Sequence, residues 1–402
     1  MPMSADWRRR AEAVIPGGAS TGSKRADALW GAGAAELPTH YTSADGCRVT
    51  LPDGRVLVDG TMALGAVALG YAHPGVTARV TAAARAGNVA GLSHTLEVEL
   101  AERLCDVIPC AEQVRFLKSG AEAVSAAVRI ARTATGRTRV VGSGYFGWHD
   151  WSSDAAGVPA GTRGDYAAVP FDDVAALERA CAEAGTDLAA IVLEPIVERL
   201  PSAGWLTAAR RIADRSGAVL VFDEMKTGFR VAPGGYHAAA GVTPDLAVFG
   251  KALANGFALA AVVGHRAVMD AVRRTWISST LAGETTGLAA AMAVLDAHAE
   301  RDVCAELATI GDAMMTGVRH AIAAAPATSV SVAGIPQMWL LRWNSADDER
   351  AFLAAALASG VLFKRGAYNF PSLAHDAAAI AAITRAAGSL PAMGFRLPAF
   401  PP

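Results

Sequence analysis

Apolar residues between about residue 60 and residue 295 follow two patterns that alternate along the chain. Short runs rich in Val, Ile, Leu and Phe end at glycine or at a charged residue, as in VRFLKS, TRVVGS, LAAIVLEP, AVLVFDE, LAVFGK and AAVVG. Ala-rich stretches such as AEAVSAAVRIARTATG and WLTAARRIADRSG lie between them and suit helices. Strands that alternate with helices are typical of a mostly parallel sheet covered by helices on both faces. The pattern therefore predicts an α/β fold.

The two ends of the chain follow different patterns. Near the start, CRVTLPDGRVLVD places an Asp-Gly turn between two alternating runs, which predicts a hairpin. After residue 285 the sequence becomes helical, then gives a few short strand-like runs and a last helix near residues 376–388. We therefore expect a large domain over residues 59–295 and a smaller α+β domain assembled from both chain ends, residues 1–58 and 296–402.

Charge and cysteine content narrow the range of functions. The 402 residues include 36 Lys and Arg and 38 Asp and Glu, so no surface for nucleic acid or for an anionic membrane is expected. Five cysteines, an odd number at irregular spacing, predict neither a disulfide framework nor a metal site and favour a reducing cytoplasm. No run reaches the 18 apolar residues of a membrane span, and the start lacks the apolar core of a signal peptide. The expected protein is soluble and unexported.

Two strand ends carry side chains that suit small-molecule chemistry. Asp223 closes the apolar run VLVFD, and Lys251, 28 residues later, closes the run LAVFG before a Gly-containing turn. Each alone has a structural explanation, Asp223 as a helix cap or ion-pair partner and Lys251 as the partner of a buried anion. Because a buried lysine is costly as a cation, a covalent role such as a Schiff base is the functional alternative.

A third segment supplies a candidate anion site. The sequence RFLKSGAEAVSAAVRIAR predicts a strand, the turn Ser119-Gly120-Ala121 and a helix. Backbone amides at a helix start bind phosphate, although an ordinary capped turn explains these residues equally well by themselves. An amine, a carboxylate and a phosphate site together are what the cofactor pyridoxal 5'-phosphate (PLP) requires.

These segments, in this order, resemble those of the class III (fold type I) PLP-dependent aminotransferases, and within that class the glutamate-1-semialdehyde aminomutase branch. The resemblance covers nearly the whole chain, through IPGG, GYAHPGV, LEVELAERL, SGAEA, GYFGWHD, LEP, DEMKTGFR, PDLAVFGKALANG and STLAGETTGLAAA. Each motif is weak alone, whereas the set is specific. The resemblance implies the fold type I architecture, with a mostly parallel sheet, helices on both of its faces and a smaller α+β domain.

The resemblance also implies roles for the three segments. Lys251 would form the Schiff base with PLP, and Asp223 would hold the protonated nitrogen of the pyridine ring. The phosphate would lie at the turn Ser119, Gly120 and Ala121, bound through backbone amides.

Four further residues complete the implied cofactor site. Tyr145 would stack on one face of the ring, and Met225, at a position where the family usually has Val, would pack on the other. Glu194 matches the Glu of the family's EP motif and would support the site. Thr280 would reach the phosphate of the neighbouring subunit, which implies a homodimer with the active site at the interface.

Departures from the branch bear on the substrate. Lys24 stands near the position where the aminomutases carry an arginine for the substrate carboxylate, so a point charge replaces a bidentate group. Together with GWHDW and GET, this resembles the subset of the branch that aminates sugar, cyclitol or similar keto compounds in biosynthetic pathways. In that subset Trp148, His149 and Trp151 would face the substrate, with ordinary loop packing as the alternative.

The expected activity is therefore the transfer of an amino group from an amino acid donor to a keto acceptor, with PLP and its amine form alternating. An intramolecular aminomutase and an epimerase use the same groups and stay open as alternatives. VVGSGYFG also has the GxGxxG spacing of dinucleotide-binding proteins, but WHDWSSDAAGVPAG after it does not predict the required helix, which argues against an NAD-dependent oxidoreductase. A cofactor-free binding protein is disfavoured because Lys251 and Asp223 are both present.

Overall fold

The chain divides into two compact units in a computed structural model that describes residues 4–32, 37–324 and 330–388. The terminal unit contains the described residues up to His73 and from Ala305 onward. The central unit runs from Pro74 to Cys304. Across these described ranges, no helix combines the length and the apolar character that a membrane crossing needs.

Strands in the described part of the chain form three sheets. Their bounds in chain order are β1 Ser43–Asp45, β2 Arg48–Thr50, β3 Val56–Asp59, β4 Gln113–Leu117, β5 Arg139–Ser143, β6 Tyr166–Ala168, β7 Leu188–Leu193, β8 Val219–Asp223, β9 Leu246–Phe249, β10 Ala260–Gly264, β11 Val330–Ile335, β12 Met338–Trp343 and β13 Val361–Leu362. The terminal unit contains the sheet β1-β2-β3-β13 and the pair β11-β12. The central unit contains one sheet with the order β4-β10-β9-β8-β7-β5-β6.

Helices connect these strands. Their bounds are α1 Ser4–Val14, α2 Ala26–Trp30, α3 Met62–Gly65, α4 Pro74–Ala86, α5 Thr95–Val107, α6 Gly120–Thr135, α7 Val174–Ala184, α8 Trp205–Ser216, α9 Tyr236–Ala240, α10 Arg266–Met269, α11 Thr285–Glu300, α12 Val303–Ala323, α13 Ala346–Ala358 and α14 Ala377–Ala387. Short 3-10 turns span Pro16–Gly18, Gly22–Lys24, Ala160–Thr162, Gly185–Asp187, Lys251–Ala254 and Asp270–Arg274.

The backbone of α3 is left-handed. Its φ angles are 42° at Met62, 50° at Ala63 and 60° at Leu64. Left-handed backbone costs about 1 kcal/mol or more at each residue that has a side chain. The surrounding terminal unit must therefore hold this turn in place.

The central sheet is parallel except for β10, which runs antiparallel to both of its neighbours. Successive side chains of a strand point to opposite faces. In β8, Val219 and Val221 belong to the hydrophobic cluster that contains α6, whereas Leu220 and Phe222 belong to the cluster that contains α7 and α8. Helices therefore cover both faces, and the predicted α/β fold is confirmed.

The two chain ends build one sheet in the terminal unit. The predicted hairpin is present as β2 and β3, which pair antiparallel, and β13 pairs parallel with β3. Residues after β3 stay with this unit, since the amide of Gly60 donates to the carbonyl of Leu362 at 2.9 Å. The boundaries between the units therefore lie after His73 and after Cys304. The sequence pattern predicts them after residues 58 and 295.

Candidate active site

The carboxyl ends of five strands in the central sheet carry residues that the sequence singles out. Asp223 is the last residue of β8, and the others follow within two residues: Ser119 after β4, Tyr145 after β5, Glu194 after β7 and Lys251 after β9. Because β10 is antiparallel to both β4 and β9, these two strands are parallel to each other and end at the same edge. Ligands of open α/β sheets bind at this edge.

Asp223 is a buried carboxylate without a cationic partner at hydrogen-bond distance among the described residues. It shares a sheet face with Val219 and Val221, so it lies on the side of α6. It is 3% exposed, and one oxygen accepts a hydrogen bond from the Met225 amide at 3.0 Å. Burial, and then the negative charge of Glu194, raise the pKa of Asp223 to about 7. A cationic group bound beside Asp223 would offset this electrostatic cost.

Lys251 begins a 3-10 turn and has a left-handed backbone, with a φ of 48°. Backbone strain of this kind is concentrated at functional positions. Burial lowers the pKa of the Lys251 ammonium, and the charge of Asp223 opposes that effect. The two groups therefore interact within one site, and the amine of Lys251 loses its proton more readily than that of a surface lysine.

Met225 lies where three segments of the site meet. A Cβ atom at Gly120 would lie 3.0 Å from the Met225 Sδ atom, and one at Gly250 would lie 2.6 Å from it. Gly120 begins α6, and Gly250 precedes Lys251. Met225 itself follows Asp223 by two residues. The start of α6, the lysine turn and the end of β8 are therefore in direct proximity.

The start of α6 presents backbone amides. Ser119 caps the helix, because its hydroxyl accepts from the Glu122 amide at 3.3 Å while the Glu122 carboxylate accepts from the Ser119 amide at 2.8 Å. The amides of Gly120 and Ala121 donate to no group in the part of the chain that the structure describes. Amides at a helix start carry partial positive charge and bind phosphate oxygens. The cap thus orders the helix start and leaves two amides for an anion.

The loop after β5 is fixed over the start of α6. Gly147 has a φ of 92°, and a Cβ atom there would lie 2.4 Å from the Cβ atom of Ala121, so only glycine permits this approach. Tyr145 is exposed, and its amide donates to the Glu194 carboxylate at 3.0 Å. Glu194 also forms an ion pair with Lys226 at 2.6 Å. The sequence reasoning missed Lys226, which compensates the charge of the group that holds Tyr145.

The aromatic segment after Gly147 divides into exposed and packed residues. Trp148 is exposed. The Nδ1 atom of His149 lies 2.7 Å from the hydroxyl of Ser125, which also accepts from the Trp151 indole at 3.0 Å. Trp151 packs edge-on against Tyr166, with 5.3 Å between ring centroids. Trp151 is thus packed within the loop, while Trp148 contacts the His149 ring and otherwise faces outward.

Thr280 lies on an exposed loop of the central unit. It lines a cavity of about 470 Å³ together with residues 87–94. Its hydroxyl forms no hydrogen bond within residues 4–32, 37–324 and 330–388. Four residues later Glu284 caps α11 and forms an ion pair with Lys118 at 2.7 Å. Because Lys118 directly precedes the turn at Ser119, this ion pair links the end of the Thr280 loop to that turn.

Lys24 belongs to the other unit. It ends the 3-10 turn Gly22–Lys24 of the terminal unit and lines a cavity there. Lys364, which the sequence reasoning missed, lines the same cavity. Its signal is the run VLFK, an apolar segment that ends at a lysine.

The cluster in the central unit fits PLP. A carboxylate without a cationic partner, an amine with a lowered pKa and two free amides correspond to the ring nitrogen, the aldehyde and the phosphate of that cofactor. A dinucleotide site does not fit, because residues 144–159 form bends and turns, and no helix begins at Gly147.

Sequences of known proteins resemble this chain over most of its length. The family profile Aminotransferase class-III matches residues 31–149 and 158–386. The 2'-deamino-2'-hydroxyneamine transaminase of Streptomyces kanamyceticus is 36% identical over 378 residues, which cover 92% of this chain and 94% of that protein. A glutamate-1-semialdehyde 2,1-aminomutase of Rhodopirellula baltica is 34% identical over 356 residues, which cover 83% of this chain and 80% of that protein.

Solved structures share the fold. The FumI protein of Sphingopyxis sp. MTA144, in its PLP internal aldimine form, has a TM-score of 0.90 at 28% identity, covering 96% of this chain and 94% of that one. An omega-transaminase from Sphaerobacter thermophilus has a TM-score of 0.86 at 25% identity, covering 96% of this chain and 97% of that one. These likenesses confirm the predicted architecture.

Proposed function

This chain belongs to the class III aminotransferases, which are PLP-dependent enzymes, and from that premise we propose that Lys251 and Asp223 hold opposite ends of the cofactor ring. The comparisons confirm the predicted family, the PLP cofactor and the transfer of an amino group from a donor to a keto acceptor. The residue roles are supported by one observation: an amine, a buried carboxylate and two free amides converge at the strand ends. Gly120 and Ala121 bind the phosphate in this proposal.

Each catalytic group has a defined task. PLP, when bound, stabilises the negative charge that develops on the substrate carbon. With PLP held in this site, the Nζ amine of Lys251 would take and return the proton of the substrate carbon, and burial supports this role because it favours the neutral amine. Asp223 would hold the proton of the ring nitrogen, since its own buried charge requires a cationic neighbour. Tyr145 and Met225 would pack against the ring, and the carboxylate of Glu194 holds the Tyr145 loop through the Tyr145 amide.

Borohydride reduction tests the lysine assignment. Reduction of the native enzyme should fix PLP on the peptide that contains Lys251, and Lys251→Ala should carry no adduct after the same treatment. Lys118→Ala, which alters a lysine outside this role, should give the native result. An adduct on any other lysine, detected by peptide mass spectrometry, would show that the assignment is wrong.

We also propose that the acceptor is a ketone of the sugar or cyclitol kind and the donor an amino acid. The similarity to a transaminase named for a hydroxyneamine compound supports this substrate class. The exposed indole of Trp148 supports it as well, because a flat aromatic face packs against a sugar ring. A screen of keto sugars and keto acids against the cofactor colour of the amine form would identify the acceptor, and Trp148→Ala should raise KM for the acceptor more than for the donor.

An intramolecular aminomutase is the second candidate. The similarity to the Rhodopirellula baltica aminomutase favours it, and the groups at the strand ends serve both reactions. The two reactions differ in the destination of the nitrogen atom. With ¹⁵N-labelled donor, transfer delivers the label to a separate acceptor molecule, whereas mutation keeps it within the carbon skeleton of one substrate.

A homodimer with shared active sites is part of the proposal. Leu281, which follows Thr280 in the chain, is 51% exposed. Leu92 lines the cavity that Thr280 also lines, and it is 86% exposed. Large apolar side chains that cluster on a surface mark protein contacts. A partner subunit that covers this surface would receive the free hydroxyl of Thr280 at its phosphate.

Mixed dimers test this arrangement. Lys251→Ala and Thr280→Ala subunits should each have low activity alone. If the hydroxyl acts across the interface, reassociated mixtures contain one native site in each mixed dimer and regain about a quarter of native activity. Mixtures that stay as inactive as their components, with mixed dimers demonstrated by differently tagged subunits, would show that Thr280 acts within its own chain, and full activity of Thr280→Ala alone would show that it has no role.

We place the enzyme in a reducing compartment such as the cytoplasm. All five cysteines are free, and four of them are buried. Burial raises the pKa of Cys110 and of Cys181 to about 12, so these thiols stay protonated and unreactive. Their thiol state suits a reducing environment and supports the proposed location.

A further inference from the structure

A surface cavity of about 350 Å³ lies beside α6, and its lining shares no residue with the proposed cofactor site. The lining consists of residues from α6 and from the loop after β5: Ser125, Val128, Arg129, Arg132, His149 and Trp151. Ser125 is followed by Arg129 and Arg132 at the spacing that places side chains on one face of a helix. The cavity therefore combines polar and charged side chains from two elements of the central unit.

The two arginines are held by backbone carbonyls rather than by acidic side chains. The Nη1 atom of Arg129 donates to the Trp276 carbonyl at 2.9 Å, and the Nε atom of Arg132 donates to the Thr138 carbonyl at 2.8 Å. Neither guanidinium forms an ion pair within residues 4–32, 37–324 and 330–388. A neutral carbonyl orients a guanidinium and leaves its positive charge uncompensated. Two such charges on one helix face repel each other, and an anion between them would relieve that repulsion.

His149 adds a hydrogen-bond donor from the loop. Its Nδ1 atom lies 2.7 Å from the hydroxyl of Ser125, and that hydroxyl accepts from the Trp151 indole at 3.0 Å. Because the indole hydrogen already points at the Ser125 oxygen, the hydrogen of the hydroxyl is available for Nδ1. The ring hydrogen of a neutral His149 then lies on Nε2, which bonds no group in the described part of the chain. A third donor is therefore available beside the two guanidiniums.

The lining contains no negative charge that would compete for these donors. No acidic side chain of the described residues lines the cavity, and Asp150, which lies between His149 and Trp151 in the chain, is not part of the lining. The loop is also fixed in place, since only glycine at position 147 permits its close approach to Ala121. Donors that are ordered before a ligand arrives lose less entropy on binding.

We propose that this cavity binds a phosphate group, held by the guanidiniums of Arg129 and Arg132 and by the Nε2 hydrogen of His149. Three donors from a helix and a loop can each meet a different oxygen of a tetrahedral phosphate. A planar carboxylate has two oxygens, which a single guanidinium already satisfies, so two arginines favour phosphate. This site goes beyond the proposed transfer reaction, and binding to it requires no turnover.

Calorimetric titration of the PLP-saturated native chain with inorganic phosphate measures this site, because PLP already occupies the proposed phosphate turn at Ser119. Acetate at the same ionic strength is the carboxylate comparison. We expect phosphate to bind saturably and about tenfold or more tightly than acetate. Native enzyme that binds no phosphate saturably, or binds acetate equally well, would overturn the proposal.

A sugar phosphate and free phosphate share this chemistry, and titration with glucose 6-phosphate distinguishes them. An affinity equal to that of inorganic phosphate would support a site for the phosphate group alone. A higher affinity would support a site for a phosphorylated sugar. Glucose is the uncharged control, and glucose that binds as tightly as glucose 6-phosphate would overturn the role of the phosphate.

Variants assign the binding to the three donors. Arg129→Met and Arg132→Met should each weaken phosphate binding about tenfold or more, and His149→Phe, which keeps a ring, about threefold or more. Arg132→Lys keeps the charge without the planar fork and should lose less affinity than Arg132→Met. Arg85→Met removes an exposed positive charge of the same unit outside the cavity lining and should bind phosphate as the native chain does.

The melting temperature separates ligand binding from a structural role for the arginines. Neither side chain is buried or ion-paired among the described residues, so both methionine variants should melt within about 2 °C of the native chain. Native phosphate affinity in Arg129→Met and Arg132→Met, or an equal loss in Arg85→Met, would overturn the assignment. Because no amino donor is present, failure of the proposed transfer reaction leaves these results interpretable.

Discussion

Asp223→Asn should stabilise the protein from which PLP has been removed, and only at pH values where Asp223 is ionised. Asn has nearly the same shape and keeps an oxygen for the Met225 amide, which lies 3.0 Å from the native carboxylate. The substitution removes the negative charge, whose cost arises first from burial and then from Glu194. The gain in stability therefore measures the electrostatic cost of the site itself.

The pKa of Asp223 sets both the size and the pH range of the effect. The usual pKa of 3.8 is raised to about 7 in the folded protein. At about 1.4 kcal/mol for each pH unit between these values, the ionised carboxylate lowers the free energy of unfolding by about 4 kcal/mol. Because the folded state holds the proton more tightly than the unfolded state, native stability falls as the pH rises from about 4, and the full cost is present above about pH 7.

Urea unfolding followed by tryptophan fluorescence, at equal protein concentration, checks this prediction. PLP-free Asp223→Asn should exceed the native protein by up to about 4 kcal/mol near pH 8, and the difference should vanish toward about pH 4. Asp187→Asn is the control, because hydrogen bonds from Thr138 lower the pKa of Asp187 and its removal should give no gain. A gain that is absent at high pH, or equal at all pH values, would refute the reasoning. With PLP bound the order should reverse, since Asn cannot retain the ring proton.

Two further substitutions test the supports of the site. Lys226→Met should lower the free energy of unfolding by about 3 kcal/mol because it leaves the buried carboxylate of Glu194 unpaired, whereas Lys226→Arg should retain most of the stability in the same urea assay. Gly147→Ala should weaken PLP binding about tenfold or more in a fluorescence titration, since the new Cβ atom would collide with Ala121. Gly157 has the same φ of 92° as Gly147, with open space around it, so Gly157→Ala should bind PLP as the native protein does. A loss of PLP affinity in Gly157→Ala as large as that in Gly147→Ala would exclude the steric explanation.

The two principal groups of the site could be predicted because each ends an apolar run. The buried runs VLVFD and LAVFG fixed two strands, and a charged residue at the carboxyl end of such a strand lies at the ligand edge whatever the order of the strands. The position of Asp223 and Lys251 at this edge could therefore be predicted without the sheet topology. Their closeness across the sheet edge was beyond the sequence, since it depends on β8 and β9 being neighbours.

The support of Glu194 by Lys226 could not be predicted in the same way. The two residues lie 32 positions apart, and no local pattern joins them. They meet because β7 and β8 are adjacent parallel strands, whose carboxyl ends lie side by side. Pairing of this kind is a property of the tertiary fold, and the sequence pattern predicts strands without their order in the sheet.

Lys364 had a local signal that the sequence analysis did not use. The run VLFK ends at a lysine just as the run before Lys251 does, and the same argument about the cost of a buried cation applies to it. Trp151 illustrates a different difficulty, because the motif allowed both a ligand contact and loop packing, and the structure shows that it packs against Tyr166. Aromatic residues serve both purposes, and the sequence gives no criterion between them.

The tight packing around Met225 has an evolutionary consequence. Its thioether occupies the space that a methyl group at either Gly120 or Gly250 would need. Substitutions at the three positions should therefore be epistatic: an alanine at either glycine is deleterious beside Met225 and better tolerated beside a shorter residue such as valine. Lineages that exchange this methionine for valine gain freedom at both glycines, and a deep mutational scan in the two backgrounds would reveal that dependence.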